Sequence, residues 1–170
     1  MTRKPLPTEY RIEPIGPNHD RGAFSCGNPE LDRYIRQQAG QDSKRKLAAI
    51  YIATADGKSV AGFYTLSAKS ILAADLPVEF GKGLPRFPLP VTLLGRMAVA
   101  QSLHGQGLGE FLLLDALARA SSASRQVASW AVVVDTKAGA RGFYLAHGFI
   151  PLETHADRLF YPMKSVEMLI

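Results

Sequence analysis

An α/β fold built on a mixed sheet is the architecture that this sequence predicts, on three observations. Strand-like apolar segments occur both before and after helix-like ones. Asp56-Gly57, which lies between two apolar segments, is typical of the turn of a β-hairpin. A third apolar segment runs directly into a glycine-rich turn and then into a helical pattern. With 170 residues, of which 46% are hydrophobic, the chain fits a single domain over residues 1–170.

The first half of the chain carries clear boundary signals. Gly16-Pro17-Asn18 ends an alternating segment. Asn28-Pro29-Glu30 is typical of a helix start, with a capping side chain, a proline in the first turn and an acid near the positive helix end. Gly62 predicts a bulge within a long strand. The elements predicted here are a strand over 10–15, a helix over 28–46 and strands over 47–55 and 60–72.

The second half begins with a proline-rich segment over 73–90, which is predicted to be an irregular functional loop because it is too long for a simple connection. Near the other end, Gly148 is expected to terminate a short helix. The elements predicted here are a strand over 91–100, a helix from the glycine turn to about 123, a strand over 128–134, a helix over 138–147 and a strand over 158–168.

The composition excludes several classes of protein. The single cysteine, Cys26, cannot form an internal disulfide or a thiolate zinc site, and it is expected to be structural. The four histidines lack ligand spacing, so no metal is expected. No targeting segment and no apolar run of membrane-spanning length is visible, which favours a cytoplasmic protein without a membrane partner. The net charge of +5 favours an anionic partner.

The strongest chemical signal is the strand over 91–100 followed by the loop over 101–109 and a helix. Gly105, Gly107 and Gly109 let the backbone approach an anion, and the N–H groups at a helix start favour a diphosphate. A tight turn that needs only small residues is the alternative. A dinucleotide-binding fingerprint is not matched, because Glu110 stands where its third glycine belongs. A P-loop is excluded because no Gly-Lys-Ser/Thr follows.

Two runs around this loop resemble the acetyl-CoA site of the GCN5-related N-acetyltransferases, namely Leu94-Gly95-Arg96-Met97-Ala98-Val99 and His104-Gly105-Gln106-Gly107-Leu108-Gly109. Phe143-Tyr144-x-x-x-Gly148-Phe149 is similar to a late helix of that family, whereas Ser102 departs from the family's basic or amide residue. The resemblance implies the GNAT fold, a mixed and mostly antiparallel central sheet flanked by helices, with acetyl-CoA as cosubstrate. The cofactor contacts that it implies are Met97, Ala98, Val99, His104, Gly105, Gln106, Gly107, Leu108, Gly109 and Phe143.

Further motifs are similar to one subgroup of this family, the acetyltransferase toxins of toxin–antitoxin pairs. They are Cys26-Gly27-Asn28-x-x-Leu31-Asp32-x-Tyr34, Leu84-Pro85-Arg86-Phe87-Pro88-Leu89-Pro90-Val91 and Leu94-Gly95-Arg96. This resemblance implies acetylation of the α-amine of aminoacyl-tRNA, which blocks translation. It also implies a small DNA-binding antitoxin as partner and a homodimer. The alternatives are an acetyltransferase of a small-molecule or protein amine and a non-catalytic acyl-CoA-binding module.

Acetyl transfer needs a neutral amine, a stabilised oxyanion and a proton for the departing thiolate. A backbone N–H of residues 97–99 could stabilise the oxyanion. By resemblance Tyr144 is the general acid that protonates the departing thiolate, and a phenol of pKa about 10 carries its proton at neutral pH. The other interpretation of Tyr144 is a half-buried aromatic residue without a catalytic role. An α-amine of pKa about 7.7–8.0 can react without a base, whereas a lysine amine usually needs one, for which Glu79, Asp135 or a water chain could serve.

A basic surface is expected on the first helix. At 100° per residue, Arg33, Arg36 and Lys44 fall within about 80° of one another, opposite Leu31, Ile35 and Ala39. Such charges suit contacts with phosphates, although an ordinary solvated helix face is an equal alternative. The predicted tRNA-binding residues are Arg33, Arg36, Lys44, Arg45, Arg86 and Arg96.

Overall fold

The computed structural model describes residues 9–136 and 140–170 of the chain. In this part the strands follow the order β1-β2-β3-β4-β5-β7-β6 in a mixed sheet. Of the pairs whose register is defined, only β4 and β5 run parallel, and the others are antiparallel, so the predicted mixed, mostly antiparallel sheet is confirmed. The strands are β1 (Arg11–Pro14), β2 (Ala49–Thr54), β3 (Gly62–Ile71), β4 (Leu89–Val99), β5 (Ala131–Asp135), β6 (Ile150–Pro151) and β7 (Arg158–Pro162).

The helices begin and end where local chemistry allows. Asn28 caps the first one, since its side-chain oxygen accepts from the Glu30 amide at 3.0 Å, and Pro29 occupies the first turn as predicted. The late helix Arg141–Ala146 is followed by Gly148 with φ +94°, also as predicted. The helices are α1 (Pro29–Arg33), α2 (Ala39–Lys44), α3 (Val78–Gly81), α4 (Leu108–Ser124), α5 (Arg141–Ala146) and α6 (Met163–Leu169), with 3₁₀ turns at Ala73–Asp75 and Gln101–Leu103.

A π turn, Tyr34–Gln38, joins α1 to α2 in one continuous helical run. The Ala39 N–H bonds to the Tyr34 carbonyl, five residues back, so the Ile35 carbonyl loses its helical donor. The Arg21 guanidinium takes that place and donates to the Ile35 oxygen at 2.9 Å. Glycine at position 40 provides the space for the Arg21 side chain, because a Cβ there would lie 3.2 Å from the Arg21 Nη2 atom. The predicted helix over 28–46 is therefore present but carries an extra residue in its middle.

The described residues group into two compact units, each with its own core. The first comprises residues 9–67 and 96–116, and the second comprises the remainder. In the first unit the helical run packs on β2, β3 and the end of β4 through a cluster that includes Tyr34, Ile35, Ile52, Phe63 and Ala98. The core of the second unit includes Val91, Val133, Leu152 and Phe160, with Trp130 stacked on Phe160.

Several predicted segments differ from the structure. The strand predicted over 158–168 is wrong beyond Pro162, because proline lacks an N–H for strand pairing and Met163 and Val166, buried three residues apart, belong to a helix. The segment 73–90 holds a 3₁₀ turn, α3 and the first residues of β4, and β5 begins at 131 rather than 128. The short strand β6 was not predicted, and residues 137–139 of the helix expected over 138–147 lie outside the described part.

Gly62 lies at the start of β3, where two backbones approach each other closely. The β2–β3 register runs regularly to the pair Ala53↔Gly62. A Cβ on Gly62 would lie 2.8 Å from the Ala98 carbonyl oxygen and 3.0 Å from Leu112 Cδ1. Glycine is therefore needed here because the end of β4 lies directly against β3.

Candidate active site

The glycine-rich loop of the first unit has the geometry that its sequence predicts. After β4 ends at Val99, one 3₁₀ turn leads to Gly105 and Gly107, with φ +82° and +85°. These left-handed conformations favour glycine. A Cβ on Gly105 would meet no atom within 4 Å, so its face of the loop is open. The helix α4 begins immediately afterwards at Leu108, and the N–H groups of its first turn lie beyond the reach of intrahelical acceptors. The loop is thus suited to bind a diphosphate.

The side chains of this loop are not equivalent. The His104 ring is tied to the end of β4, because its Nε2 lies 2.9 Å from the Val99 carbonyl oxygen. Gln106 is exposed, and Gly107 and Gly109 are half-buried. The Leu108 side chain is 1% exposed and belongs to the core, so only its backbone could contact a cofactor.

The backbone of β4 presents alternate N–H groups to opposite edges. The Arg96 N–H donates to Thr65 Oγ1 at 3.0 Å, and the Ala100 N–H donates to the Ala61 carbonyl at 2.8 Å. Strand alternation therefore directs the N–H groups of Met97 and Val99 to the other edge. The β4–β5 register extends from the pair Thr92↔Val132 to Leu94↔Val134, whereas β4 continues to Val99.

This geometry separates the three residues predicted to contribute an oxyanion donor. Met97 and Val99 remain candidate donors to the oxyanion, because their N–H groups point away from β3. The Ala98 N–H points towards β3, and its side chain is 7% exposed within the core of the first unit. Ala98 is therefore a packing residue of this strand.

Tyr144 lies on α5 in the second unit and is 6% exposed. Its ring makes edge contacts with Phe143 and Phe149, at centroid distances of 5.3 Å each. Burial raises the pKa of the Tyr144 hydroxyl well above its ordinary value. The hydroxyl is therefore protonated at neutral pH, the state that a general acid needs. Phe143, predicted to contact the cofactor, is half-buried and packs on His147.

The helical run of the first unit carries the predicted basic surface. Arg33, Arg36, Lys44 and Arg45 are exposed, whereas Ile35 and Ala39 are buried, as the helical periodicity predicts. One of them has a structural contact, since Arg36 donates to the carbonyl oxygen of the preceding loop at residue 24. The remaining predicted basic residues are Arg96, on β4 of this unit, and Arg86, which is exposed in the second unit.

Arg96 is held by residues that the sequence did not single out. Its guanidinium carbon lies 3.8 Å from the centroid of the Tyr34 ring, a cation–π contact. The Tyr34 hydroxyl donates to Asp42 Oδ2 at 2.9 Å. Burial, followed by this hydrogen bond, raises the pKa of Tyr34 to about 12. Tyr34 ends one of the toxin-like motifs, which is the only signal that pointed towards it.

Cys26 lies in the first unit, shortly before α1. The Cys26 N–H donates to Asp32 Oδ1 at 2.8 Å, and burial raises the pKa of the thiol. A protonated thiol with these contacts is consistent with a structural role. Within residues 9–136 and 140–170, no group of three His, Cys, Asp or Glu side chains could hold a metal ion. No helix in the same ranges is long and apolar enough to span a bilayer.

Comparison with known proteins defines the class to which these features belong. The family model described as "Acetyltransferase (GNAT) domain" matches residues 46–151, which include β4, the glycine loop and Tyr144. The chain therefore belongs to the GNAT family of N-acetyltransferases. It is 33% identical to a "Probable toxin TacT" of Sinorhizobium fredii (strain NBRC 101917 / NGR234), over 94% of each chain. It is 35% identical to a "tRNA-acetylating toxin" of Mycobacterium tuberculosis (strain ATCC 25618 / H37Rv), over 89% of this chain and 90% of the relative.

Solved structures of related toxins share this fold. AtaT complexed with acetyl-methionyl-tRNAfMet superposes with a TM-score of 0.88 at 31% identity, over 94% of this chain and 98% of that one. AtaTR bound with AcCoA gives a TM-score of 0.83 at 32% identity, over 94% and 97%. An AtaT mutant toxin bound to the C-terminus of the antitoxin AtaR gives 0.83 at 28% identity, over 95% and 98%. The predicted GNAT fold is therefore confirmed.

Proposed function

We propose that this chain is a toxin that transfers the acetyl group of acetyl-CoA to the α-amine of aminoacyl-tRNA and so blocks translation. The observation that carries the proposal is the glycine loop between β4 and α4, with left-handed Gly105 and Gly107 at the start of a long helix. The choice of acceptor is supported by the similarity to a tRNA-acetylating toxin and to AtaT complexed with acetyl-methionyl-tRNAfMet. Residues 1–170 would form a single acetyltransferase domain.

The loop would hold acetyl-CoA through its backbone. The amides at the start of α4 and the glycines before it suit the diphosphate, and the exposed His104 and Gln106 would line the site. The Met97 or Val99 N–H would donate to the oxyanion that forms when the amine attacks the thioester carbonyl. Phe143 would contribute an apolar contact to the acyl carrier.

Tyr144 would complete the transfer as the general acid. As the C–S bond breaks, its hydroxyl would protonate the departing thiolate, and the proton lost by the attacking amine would pass to solvent. The raised pKa of the buried hydroxyl keeps it protonated throughout the physiological range. We therefore expect kcat to show no alkaline decline from this residue below pH about 10, the ordinary pKa of tyrosine.

The basic surface would bind the tRNA backbone. Arg33, Arg36, Lys44 and Arg45 would contact phosphates, with Arg86 contributing from the second unit. We also propose a small DNA-binding antitoxin as partner, which the antitoxin-bound AtaT structure supports. A homodimer and a cytoplasmic location complete the proposal.

The test is acetylation of a panel of charged tRNAs by the pure protein with labelled acetyl-CoA. Tyr144→Phe should lower turnover at least tenfold and leave the Kd of acetyl-CoA within twofold. Tyr161→Phe is the matched control, because that ring also packs on Phe149 and should tolerate loss of its hydroxyl. Unchanged turnover of Tyr144→Phe would remove this residue from the mechanism.

Three other outcomes decide between the function classes. Acetylation of polyamines or peptides, with charged tRNA left unmodified, would favour a different amine acceptor. Tight acetyl-CoA binding without thiol release on any amine would favour a non-catalytic binding module. Growth arrest on expression, relieved by the product of a neighbouring gene, would support the toxin and its antitoxin.

A further inference from the structure

Three side chains of the first unit fix one guanidinium above the end of β4. The Arg96 guanidinium carbon lies 3.8 Å from the Tyr34 ring centroid, and the Tyr34 hydroxyl donates to Asp42 Oδ2 at 2.9 Å. The Tyr34 ring also stacks against Phe63, with an interplanar angle of 22°. Tyr34 is 4% exposed, so its ring has little freedom. The guanidinium therefore contacts a ring that is itself held in place.

The π turn is what places Tyr34 and Asp42 on the same side of the helical run. In a regular α-helix, residues eight apart differ by about 80° around the axis. The extra residue in the π turn makes them equivalent to residues seven apart, which differ by only about 20°. π turns occur frequently at functional sites, and this one is supported by the hydrogen bond from Arg21. We therefore expect Tyr34 and Asp42 to have a role in the site around Arg96.

Arg96 has unused hydrogen-bond donors. Within residues 9–136 and 140–170 its side chain forms neither an ion pair nor a hydrogen bond, and its only defined contact is the Tyr34 ring. It is half-buried, and it directly precedes Met97, one of the two candidate oxyanion donors. Its side chain lies on the same face of β4 as Ala98, the face that the helical run covers. A half-buried cation with free donors at this position calls for an anionic ligand.

We propose that the Arg96 guanidinium binds the phosphate of the terminal nucleotide of aminoacyl-tRNA, and that Tyr34 and Asp42 are positioning residues for this contact. The proposal rests on the proposed function. That phosphate is the anion nearest along the tRNA chain to the reacting amine. A planar guanidinium can engage two phosphate oxygens at once, which fixes orientation as well as position. The exposed Arg33, Arg36, Lys44 and Arg45 remain available for phosphates further from the amine.

The experiment compares two acceptors that differ in the phosphate. One is aminoacyl-tRNA, and the other is the same aminoacyl group on adenosine, which has no phosphate. Arg96→Gln should raise KM for aminoacyl-tRNA at least tenfold and leave KM for aminoacyl-adenosine within twofold. Arg96→Lys should not restore the tRNA KM, because an ammonium has no planar fork. Lys58→Gln, an exposed charge on the β2–β3 hairpin, is the control and should change neither value.

The positioning residues have their own readout. Tyr34→Phe keeps the ring but loses the bond to Asp42, and should raise KM for aminoacyl-tRNA about threefold with KM for aminoacyl-adenosine unchanged. Asp42→Ala should raise KM for aminoacyl-tRNA, whereas Asp42→Asn, which retains an acceptor oxygen, should keep KM close to that of wild type. For Arg96→Gln, the slope of log affinity for tRNA against log salt should fall by about 0.7–0.9, the value for one phosphate contact.

The outcomes separate this inference from the function on which it rests. Equal losses on both acceptors, or no loss on either, would overturn the phosphate contact while the acetyltransferase activity stands. A wild-type protein that ignores charged tRNA would overturn the proposed function and this contact together. If the Tyr34 variants fail to fold, the Arg96 variants decide, since replacement of this half-buried side chain leaves the core cluster intact.

Discussion

Gly105 and Gly83 offer a matched pair of substitutions that tests whether the glycine-rich loop binds acetyl-CoA. Both have left-handed φ angles, +82° and +83°, and a Cβ on either would meet no atom within 4 Å. Gly105→Ala and Gly83→Ala should therefore impose the same backbone strain, about 1–2 kcal/mol. At about 2–4 °C per kcal/mol for a chain of this size, both variants should lower Tm by about 2–8 °C. Stability alone should not distinguish them.

Binding of acetyl-CoA should distinguish them clearly. If the loop of Gly105→Ala relaxes when empty, binding must restore the strained conformation, and a cost of about 1–2 kcal/mol raises Kd about 5–30-fold. If the loop does not relax, the new methyl group occupies the open face that the diphosphate would approach. Isothermal titration calorimetry of both variants is the assay, and Gly83→Ala should bind within twofold of wild type. A Gly105→Ala variant that binds equally well would refute the assignment of this loop.

Two further predictions concern stability. Gly62→Ala should lower the free energy of unfolding by about 1–3 kcal/mol, because its Cβ would lie 2.8 Å from the Ala98 carbonyl oxygen. Gly142→Ala is the control, since a Cβ at this helical position would meet no atom within 4 Å, and it should be neutral or stabilising. Denaturant titration of both variants measures the difference. Hydrogen bonds from the backbone amides of Lys58 and Ser59 hold the pKa of the Asp56 carboxyl far below its usual range. A carboxyl whose pKa is lower in the folded state than in the unfolded chain stabilises the fold at pH values above its unfolded pKa, about 3.9. The difference in Tm between wild type and Asp56→Ala should therefore be constant at pH 5–7 and shrink below pH about 4.

Features governed by near neighbours in the sequence could be predicted. The Asn28 cap, the hairpin turn at Asp56-Gly57 and the glycine after α5 each follow from the conformational needs of one or two residues. The same holds for the glycine-rich loop, since Gly105 and Gly107 adopt the left-handed conformations that only glycine takes readily. Periodicity also predicted the exposed basic side of the first helix, because burial there follows the helical repeat.

Features governed by distant partners could not be predicted. The π turn depends on Arg21, which supplies a donor to a carbonyl fourteen residues away. The direction of the Ala98 amide depends on how β4 lies against β3, so the sequence could not separate it from its neighbours Met97 and Val99. Arg96 was recognised as a charge, but its orientation depends on a tyrosine from another element. In each case the contact that decides the structure joins residues of different segments, and the hydrophobic pattern within one segment does not show such contacts.

The absence of carboxylates from the central strand favours an α-amine acceptor over a lysine amine. The sequence of β4, Leu89–Val99, contains no aspartate or glutamate that could deprotonate an amine. An α-amine of pKa about 7.7–8.0 and a lysine amine of pKa about 10.4 differ several hundredfold in their neutral fractions near neutral pH. That ratio corresponds to roughly 3–4 kcal/mol of activation free energy, which no carboxylate of β4 is present to compensate. Under equal concentrations we therefore expect lysine side chains to react at least a hundredfold more slowly than an aminoacyl α-amine.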